Sequence, residues 1–176
     1  RGAGNWTITP AQGPAVNAAV LLDASGRGAP ASASALPQRE WKRFDRLVAI
    51  AAWARGGEES GFLLEAVEHG WWYSALLPGE EWVITFLTDA CRVPGGGQEA
   101  LWRCWSEAME SSMYTQARMN RLAGFAGNPR FRAVRADSGT AIPGRGRDWM
   151  VIGDASLACD PLSGNGVVRA LRSGLE

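Results

Sequence analysis

The stretch that most constrains this chain runs from Trp149 to Gly174, WMVIGDASLACDPLSGNGVVRALRSG. It opens on a short apolar run, Trp149 to Ile152, of the kind a buried strand shows. It breaks at Gly153-Asp154 and crosses a loop holding Asp160-Pro161 and the small-residue run Ser163-Gly164-Asn165-Gly166. From Val167 the pattern turns helical, with Val168, Leu171 and Leu175 at helical spacing. A strand, a glycine-rich loop and a helix start together suit a phosphate or a ring carbonyl. Glycines let backbone approach a ligand closely, and the unbonded N–H groups of a first helical turn favour negative charge.

An earlier segment has the same logic. Ala15 to Leu22 is an apolar run that ends at Asp23-Ala24-Ser25-Gly26-Arg27. An apolar strand closing on an acidic residue and a glycine turn is what an open α/β sheet needs where its strands' carboxyl ends face a cofactor. Taken alone, the segment reads more readily as an ordinary strand and turn with a solvated Asp and Arg; paired with the later motif in the expected order, the cofactor reading is favoured.

Gly153-Asp154-Ala155 followed by Asp160-Pro161-Leu162-Ser163-Gly164 and Gly166 resembles the second FAD-binding motif of flavoprotein monooxygenases with the p-hydroxybenzoate hydroxylase fold. Within that group it is most similar to the tryptophan-halogenase-like and geranylgeranyl-reductase-like oxidoreductases. Asp23 to Arg27 is similar to the DATGR motif of the same family, with Ser25 in place of Thr. The resemblance implies FAD as cofactor. It assigns Asp154, beside Gly153, to the ribityl and pyrophosphate part, and Pro161, Leu162, Ser163, Gly164, Asn165 and Gly166 to the isoalloxazine side. Asp23 and Gly26 join them as cofactor-binding candidates. It also implies O2 and NAD(P)H, or a separate flavin reductase, as electron partners.

The implied activity is monooxygenation of a small organic or aromatic substrate through a flavin hydroperoxide. Halogenation and reduction of a prenyl double bond are the enzymatic alternatives, and a non-catalytic α/β binding module is the alternative of another class. The loop reads DPLSGNG rather than a Ser-Ser-Gly form, which favours hydroxylation over halogenation. The family's G-x-G-x-x-G fingerprint would precede everything in this chain. The expectation is therefore an internal piece of a longer protein, with any catalytic residue unidentified, and inactive on its own.

The expected fold is α/β (α+β). Residues 1–28 end a Rossmann-like FAD-binding domain, 29–147 form an inserted substrate domain of antiparallel sheet and helices, and 148–176 return to the FAD-binding domain. Along the insertion, 28–38 reads as a loop, and Arg39 to Arg46, with Trp41 and Phe44 three apart, as one helical turn. Leu47 to Ala54, Phe62 to Val67, Trp71 to Leu77 and Trp82 to Thr88 read as strands of a meander. Period-2 alternation puts Trp71, Tyr73 and Ala75 on one face and Trp72, Ser74 and Leu76 on the other. Trp71, Trp72, Tyr73 and Ser74 are the candidate substrate-lining residues, with core packing the competing role for each Trp. A helix over Gln98 to Glu110 has Leu101, Cys104, Trp105, Ala108 and Met109 on one stripe. A second begins with Ser111 or Ser112 as cap. Phe131 to Ala136 reads as a strand and Ser138 to Gly146 as a turn-rich connector.

Composition removes several classes. Lys plus Arg equals Asp plus Glu at 18 each, so no charge excess favours nucleic acid or an anionic membrane. No apolar run approaches the roughly 20 residues of a bilayer span. Three widely spaced cysteines suit a reducing, cytoplasmic setting better than a disulfide framework, and no His or Cys spacing suggests a metal. His69 is the single histidine. Without a nucleophile elbow it reads as a strand-end residue.

Overall fold

The computed structural model describes residues 6–28, 35–36, 39–57, 61–125 and 129–175. The chain forms two compact units, Arg1–Asp45 with Asp137–Glu176, and Arg46–Ala136. In chain order the strands of the first unit are β1 (Trp6–Ile8), β2 (Val16–Ala18), β3 (Leu21–Asp23) and β4 (Glu40–Arg43). The second unit holds β5 (Leu47–Arg55), β6 (Phe62–Val67), β7 (Gly70–Leu77), β8 (Glu81–Asp89), α1 (Gly97–Glu110), α2 (Tyr114–Met119) and β9 (Arg132–Arg135). The first unit resumes with β10 (Gly139–Ile142), β11 (Trp149–Val151), β12 (Leu157–Ala158) and α3 (Gly166–Leu175).

The second unit is a five-stranded antiparallel sheet in the order β6-β7-β8-β5-β9. Its alternation decides which side is covered. Ile50, Ala52, Ala54, Trp72, Trp82, Ile84 and Phe86 point to one face and meet Trp105 and Met109 of α1 in a single core. Trp72 sits 4.9 Å from Phe86 and edge-on to Trp105 at 5.1 Å between ring centroids. Each such burial contributes about 1.5–3 kcal/mol relative to exposure. The opposite face carries a smaller cluster, Ala49, Leu87 and Ala136 with half-buried Leu47, Trp71 and Tyr73 against it. The β6-to-β7 turn needs Gly70, because a Cβ there would run into the Leu87 carbonyl.

Glu65 corrects the expected cap of the second helix. Its carboxylate accepts the N–H groups of Met113 (2.7 Å), Tyr114 (3.0 Å) and Thr115 (2.7 Å) and the Thr115 hydroxyl (2.6 Å). Ser111 and Ser112 instead donate their hydroxyls to the carbonyls of Ala108 and Met109, which ends α1. A sheet side chain thus satisfies the orphan donors of a helix start. Burial pushes the Glu65 carboxyl up, but these hydrogen bonds, the Thr115 hydroxyl foremost, outweigh it and hold it below the usual value.

The first unit contains three small sheets, β1-β2, β12-β10-β4 and β11-β3. Three expectations change here. Arg39 to Arg46 is not a helical turn but contains β4, in register with β10 at Ala141↔Trp41. Pairing outweighs the three-residue spacing because Trp41 packs on the Trp6–Trp149 core while Phe44 stays exposed. The connector 138–146 accordingly contains a strand, β10. Ala15 to Leu22 is not one strand: it bends after Ala18, so that β2 returns antiparallel to β1 while β3 runs parallel to β11. Much of the expected 28–38 loop, residues 29–34 and 37–38, lies outside the described residues. No helix among the described residues is long and apolar enough to cross a membrane.

Candidate functional site

Parallel pairing of β3 with β11 brings the two glycine turns together. The register is Trp149↔Leu21, Met150↔Leu22 and Val151↔Asp23. Both strands therefore end at the same level, and the Ile152 N–H donates to the Asp23 carbonyl at 3.0 Å. The turns 23–27 and 153–155 thus begin side by side at the carboxyl ends of adjacent parallel strands, where open α/β sheets bind ligands. Asp23 is buried and folds its own turn, its carboxylate accepting the Ser25 N–H at 2.8 Å. Arg27 crosses to the second motif, donating from Nη2 to the Cys159 carbonyl at 3.0 Å. Chain order alone gave no signal for that link.

Gly153 has a packing role. Its φ is +59°, a side chain there would press on Ala170 at 3.3 Å, and its N–H donates to the Ser173 hydroxyl at 2.7 Å. It joins the end of β11 to α3. Asp154 follows, half-buried, and among the described residues no hydrogen bond engages its carboxylate.

The loop after β12 is shaped by Asp160 and Gly164. The Asp160 carboxylate accepts the Leu162 N–H at 2.9 Å, starting a 3-10 turn over Pro161–Ser163. Gly164, at φ +63°, then reverses the chain in a left-handed conformation that a side chain would strain. Its N–H closes the turn on the Pro161 carbonyl at 3.1 Å. The Asn165 carbonyl accepts the first helical bond, from Arg169 at 3.0 Å, and α3 begins. The N–H groups of Gly166, Val167 and Val168 have no intrahelical partner and carry the positive end of the helix dipole. The Arg169 guanidinium rests on the Cys159 thiol.

Pro161, Leu162, Ser163, Gly164, Asn165 and Gly166 are all exposed. Gly166 is the informative one. It is not in the left-handed region, and a Cβ on it would meet nothing within 4 Å. Nothing among the described residues requires a glycine at this position, whereas a flat ring or a phosphate laid against the helix start would. The apolar residues of α3, Val167, Val168, Leu171 and Leu175, are exposed as well.

The four substrate-lining candidates separate by face. Trp72 and Ser74 are enclosed under the helices, and the Ser74 hydroxyl accepts from Arg118 Nη1 at 2.9 Å. The Arg118 guanidinium in turn lies over the Trp82 ring at 4.8 Å. Trp71 and Tyr73 are half-buried on the opposite face. His69 lies in the exposed β6-to-β7 turn, 3.7 Å from Glu68. Among the described residues no cluster of His, Cys, Asp and Glu could hold a metal ion.

Comparison with solved structures decides the fold. The peptidyl tryptophan dihydroxylase QhpG, essential for tryptophylquinone cofactor biogenesis, superimposes with a TM-score of 0.77 over 97% of this chain and 39% of that one, at 23% identity. The flavin-dependent halogenase CmlS gives 0.72 over 94% of this chain and 31% of that one, at 19% identity. The chain has the fold of these enzymes, a flavin-dependent halogenase among them. Two curated proteins are similar in sequence as well. The putative FAD-dependent oxidoreductase LodB of Marinomonas mediterranea is 29% identical over 161 residues, 87% of this chain and 41% of LodB. The menaquinone reductase of Mycobacterium tuberculosis is 32% identical over 104 residues, 57% of this chain and 25% of the reductase. The chain thus spans less than half the length of either relative. No family model matches it.

Proposed function

We propose that this flavoprotein chain supplies the isoalloxazine-side loop and the substrate sheet of an FAD-dependent monooxygenase acting on a small organic or aromatic substrate. The observation that carries the reading is the open glycine loop at the start of α3, beside the two turns that leave β3 and β11 together. Asp154 is the carboxylate available to the ribityl and pyrophosphate part. The N–H groups of Gly166 to Val168 would hold a ring carbonyl and stabilise negative charge developing there. Bound FAD supplies the two-electron and O2 chemistry, with NAD(P)H or a separate reductase as electron source. Trp71 and Tyr73 are the substrate contacts in this reading. Trp72 and Ser74 support that strand from behind, since enclosed side chains cannot reach a substrate without repacking the core. Three free cysteines are in keeping with a reducing, cytoplasmic setting.

Halogenation stands beside hydroxylation as a second reading, favoured by the halogenase neighbours. The loop's DPLSGNG sequence supports hydroxylation. Both chemistries need an electron-rich substrate, and a tryptophan within a peptide, the substrate that QhpG's name gives, belongs in the screen with free aromatics. The test uses full-length protein with a reductase, O2 and added chloride or bromide. An oxygenated product at every halide concentration supports the proposal. A halogenated product overturns it in favour of the second reading. A saturated double bond formed without O2 overturns both.

A further inference from the structure

Two of the three cysteines share one cleft. Cys91 lies in the 3-10 turn Ala90–Arg92 that follows β8, and Cys104 lies in the middle of α1. Both line a cleft of about 550 Å³ that the helix forms with the turn and the loop after it. Cys91 is exposed and Cys104 half-buried. The Cys104 thiol donates to the Arg92 carbonyl at 3.6 Å. Cys91 is the residue before Arg92, so covalent geometry alone keeps its Cα within about 6.5 Å of that oxygen. The chain between the two cysteines contains Gly95-Gly96-Gly97, with φ at +131° for Gly96 and +77° for Gly97. A side chain at Gly95 or Gly97 would meet nothing within 4 Å, so this linker has room to move. A disulfide needs Cα atoms about 4.4–6.8 Å apart, and a glycine linker in open space can supply the remaining adjustment.

We infer that Cys91 and Cys104 are a peroxide-reactive dithiol that closes reversibly into a disulfide. The exposed Cys91 is the attacking sulfur. Its thiolate takes one oxygen of hydrogen peroxide, the O–O bond breaks, hydroxide leaves, and Cys91 becomes a sulfenic acid. The Cys104 sulfur then attacks the Cys91 sulfur, its proton leaves with the displaced hydroxyl as water, and the S–S bond forms. Two thiols and one peroxide thus give one disulfide and two waters, and a dithiol reductant reverses the link. The surroundings divide the roles. Burial, and after it the Glu107 carboxylate, push the Cys104 thiol up, which suits a sulfur that resolves rather than attacks first. Cys159 belongs to the other compact unit, with Arg169 against its thiol. The linked form pins the turn after β8 to α1, the helix whose Trp105 packs edge-on to Trp72. An FAD-dependent oxygenase is itself a source of peroxide when O2 is reduced without substrate, but the pairing rests on no property of the flavin site.

The test treats reduced full-length protein with a small excess of hydrogen peroxide, alkylates the remaining thiols and maps tryptic peptides by mass spectrometry without reduction. Trypsin cuts after Arg92 and Arg103, so the two cysteines fall on separate peptides unless they are linked. The linked Cys91–Cys104 peptide is expected as the dominant oxidised species, lost on adding dithiothreitol, with Cys159 alkylated. In Cys104→Ser, Cys91 is expected to accumulate as sulfenic acid, trapped by dimedone at a level at least about tenfold above the wild type. Cys159→Ser is expected to leave the link unchanged. Both thiols alkylated after peroxide, a dominant link to any other cysteine, or equal dimedone trapping with and without Cys104 would each overturn the inference. The wild-type map depends on no variant folding, and none of these outcomes bears on flavin binding.

Discussion

Trp72, Phe86 and Trp105 are enclosed, and these aromatic rings from two strands and a helix fill one another's gaps. From Pro161 to Gly166 every residue is exposed, and the loop is held by backbone turns, one carboxylate and a left-handed glycine. The first region is set by what lies inside the chain. The second is shaped without being filled. Close packing accounts for the rings of Trp72 and Trp105, although their buried indole N–H groups have no hydrogen-bond partner among the described residues, whereas no contact among the described residues explains why residue 166 is glycine. Substitutions in the two regions should therefore have opposite signatures, stability without chemistry in one and chemistry without stability in the other.

The largest stability effect belongs to the packed region. Trp72→Ala or Trp105→Ala is expected to cost about 3–5 kcal/mol through the cavity left behind, read as a lowered denaturation midpoint. A cost under about 1 kcal/mol would break the contrast, because the core would then be loosely filled. Gly70→Ala should also be expensive, since the added methyl group meets a strand carbonyl rather than a movable side chain. Thermal melting checks it, and an unchanged midpoint would contradict the close approach.

Glu65→Gln is the intermediate case, a hydrogen-bonded carboxylate within the packed unit. It is expected to cost about 1–2 kcal/mol, the scale of a lost helix cap. The sign of its pH dependence follows from the lowered carboxyl. The ionised, capped form contributes stability above the ordinary value of 4.5, and this is lost as pH falls through the lower folded value. Denaturation midpoints of wild type and variant should differ at neutral pH and converge in acid. Curves that stay parallel below pH 4.5 would remove Glu65 as the cap. The smallest stability effect is expected at Asp154→Asn, within about 0.5 kcal/mol, since no hydrogen bond engages that carboxylate among the described residues. Its expected consequence is weaker FAD affinity, measured by flavin fluorescence titration of full-length protein.

The same contrast explains what could be read from sequence. The meander was legible because β5 is a near-continuous apolar run, β7 and β8 alternate with period 2, and the strands stop at glycine or proline turns. Alternation also set Trp72 and Ser74 opposite Trp71 and Tyr73, although which face the helices cover depends on α1 and could not be read locally. The loop was legible because Asp160-Pro161 and Gly164 each carry a backbone instruction. Strand β4 was not, because Trp41 and Phe44 fit a helical spacing and only pairing with β10 chooses between them. Glu65 was not either, since its helix lies some 50 residues away and nothing near it in sequence marks a cap. Nor was the Arg27 link to Cys159, which exists only because β3 and β11 run parallel.

The measurement that tests the central claim most directly is the flavin bound per chain by purified full-length protein carrying Gly166→Val. This position distinguishes ligand from backbone better than Gly164, where the left-handed conformation would itself be strained. The account predicts that the variant folds like the wild type and retains no FAD. A variant that still carries one FAD per chain would contradict it, because the open space at the start of α3 would then serve no cofactor.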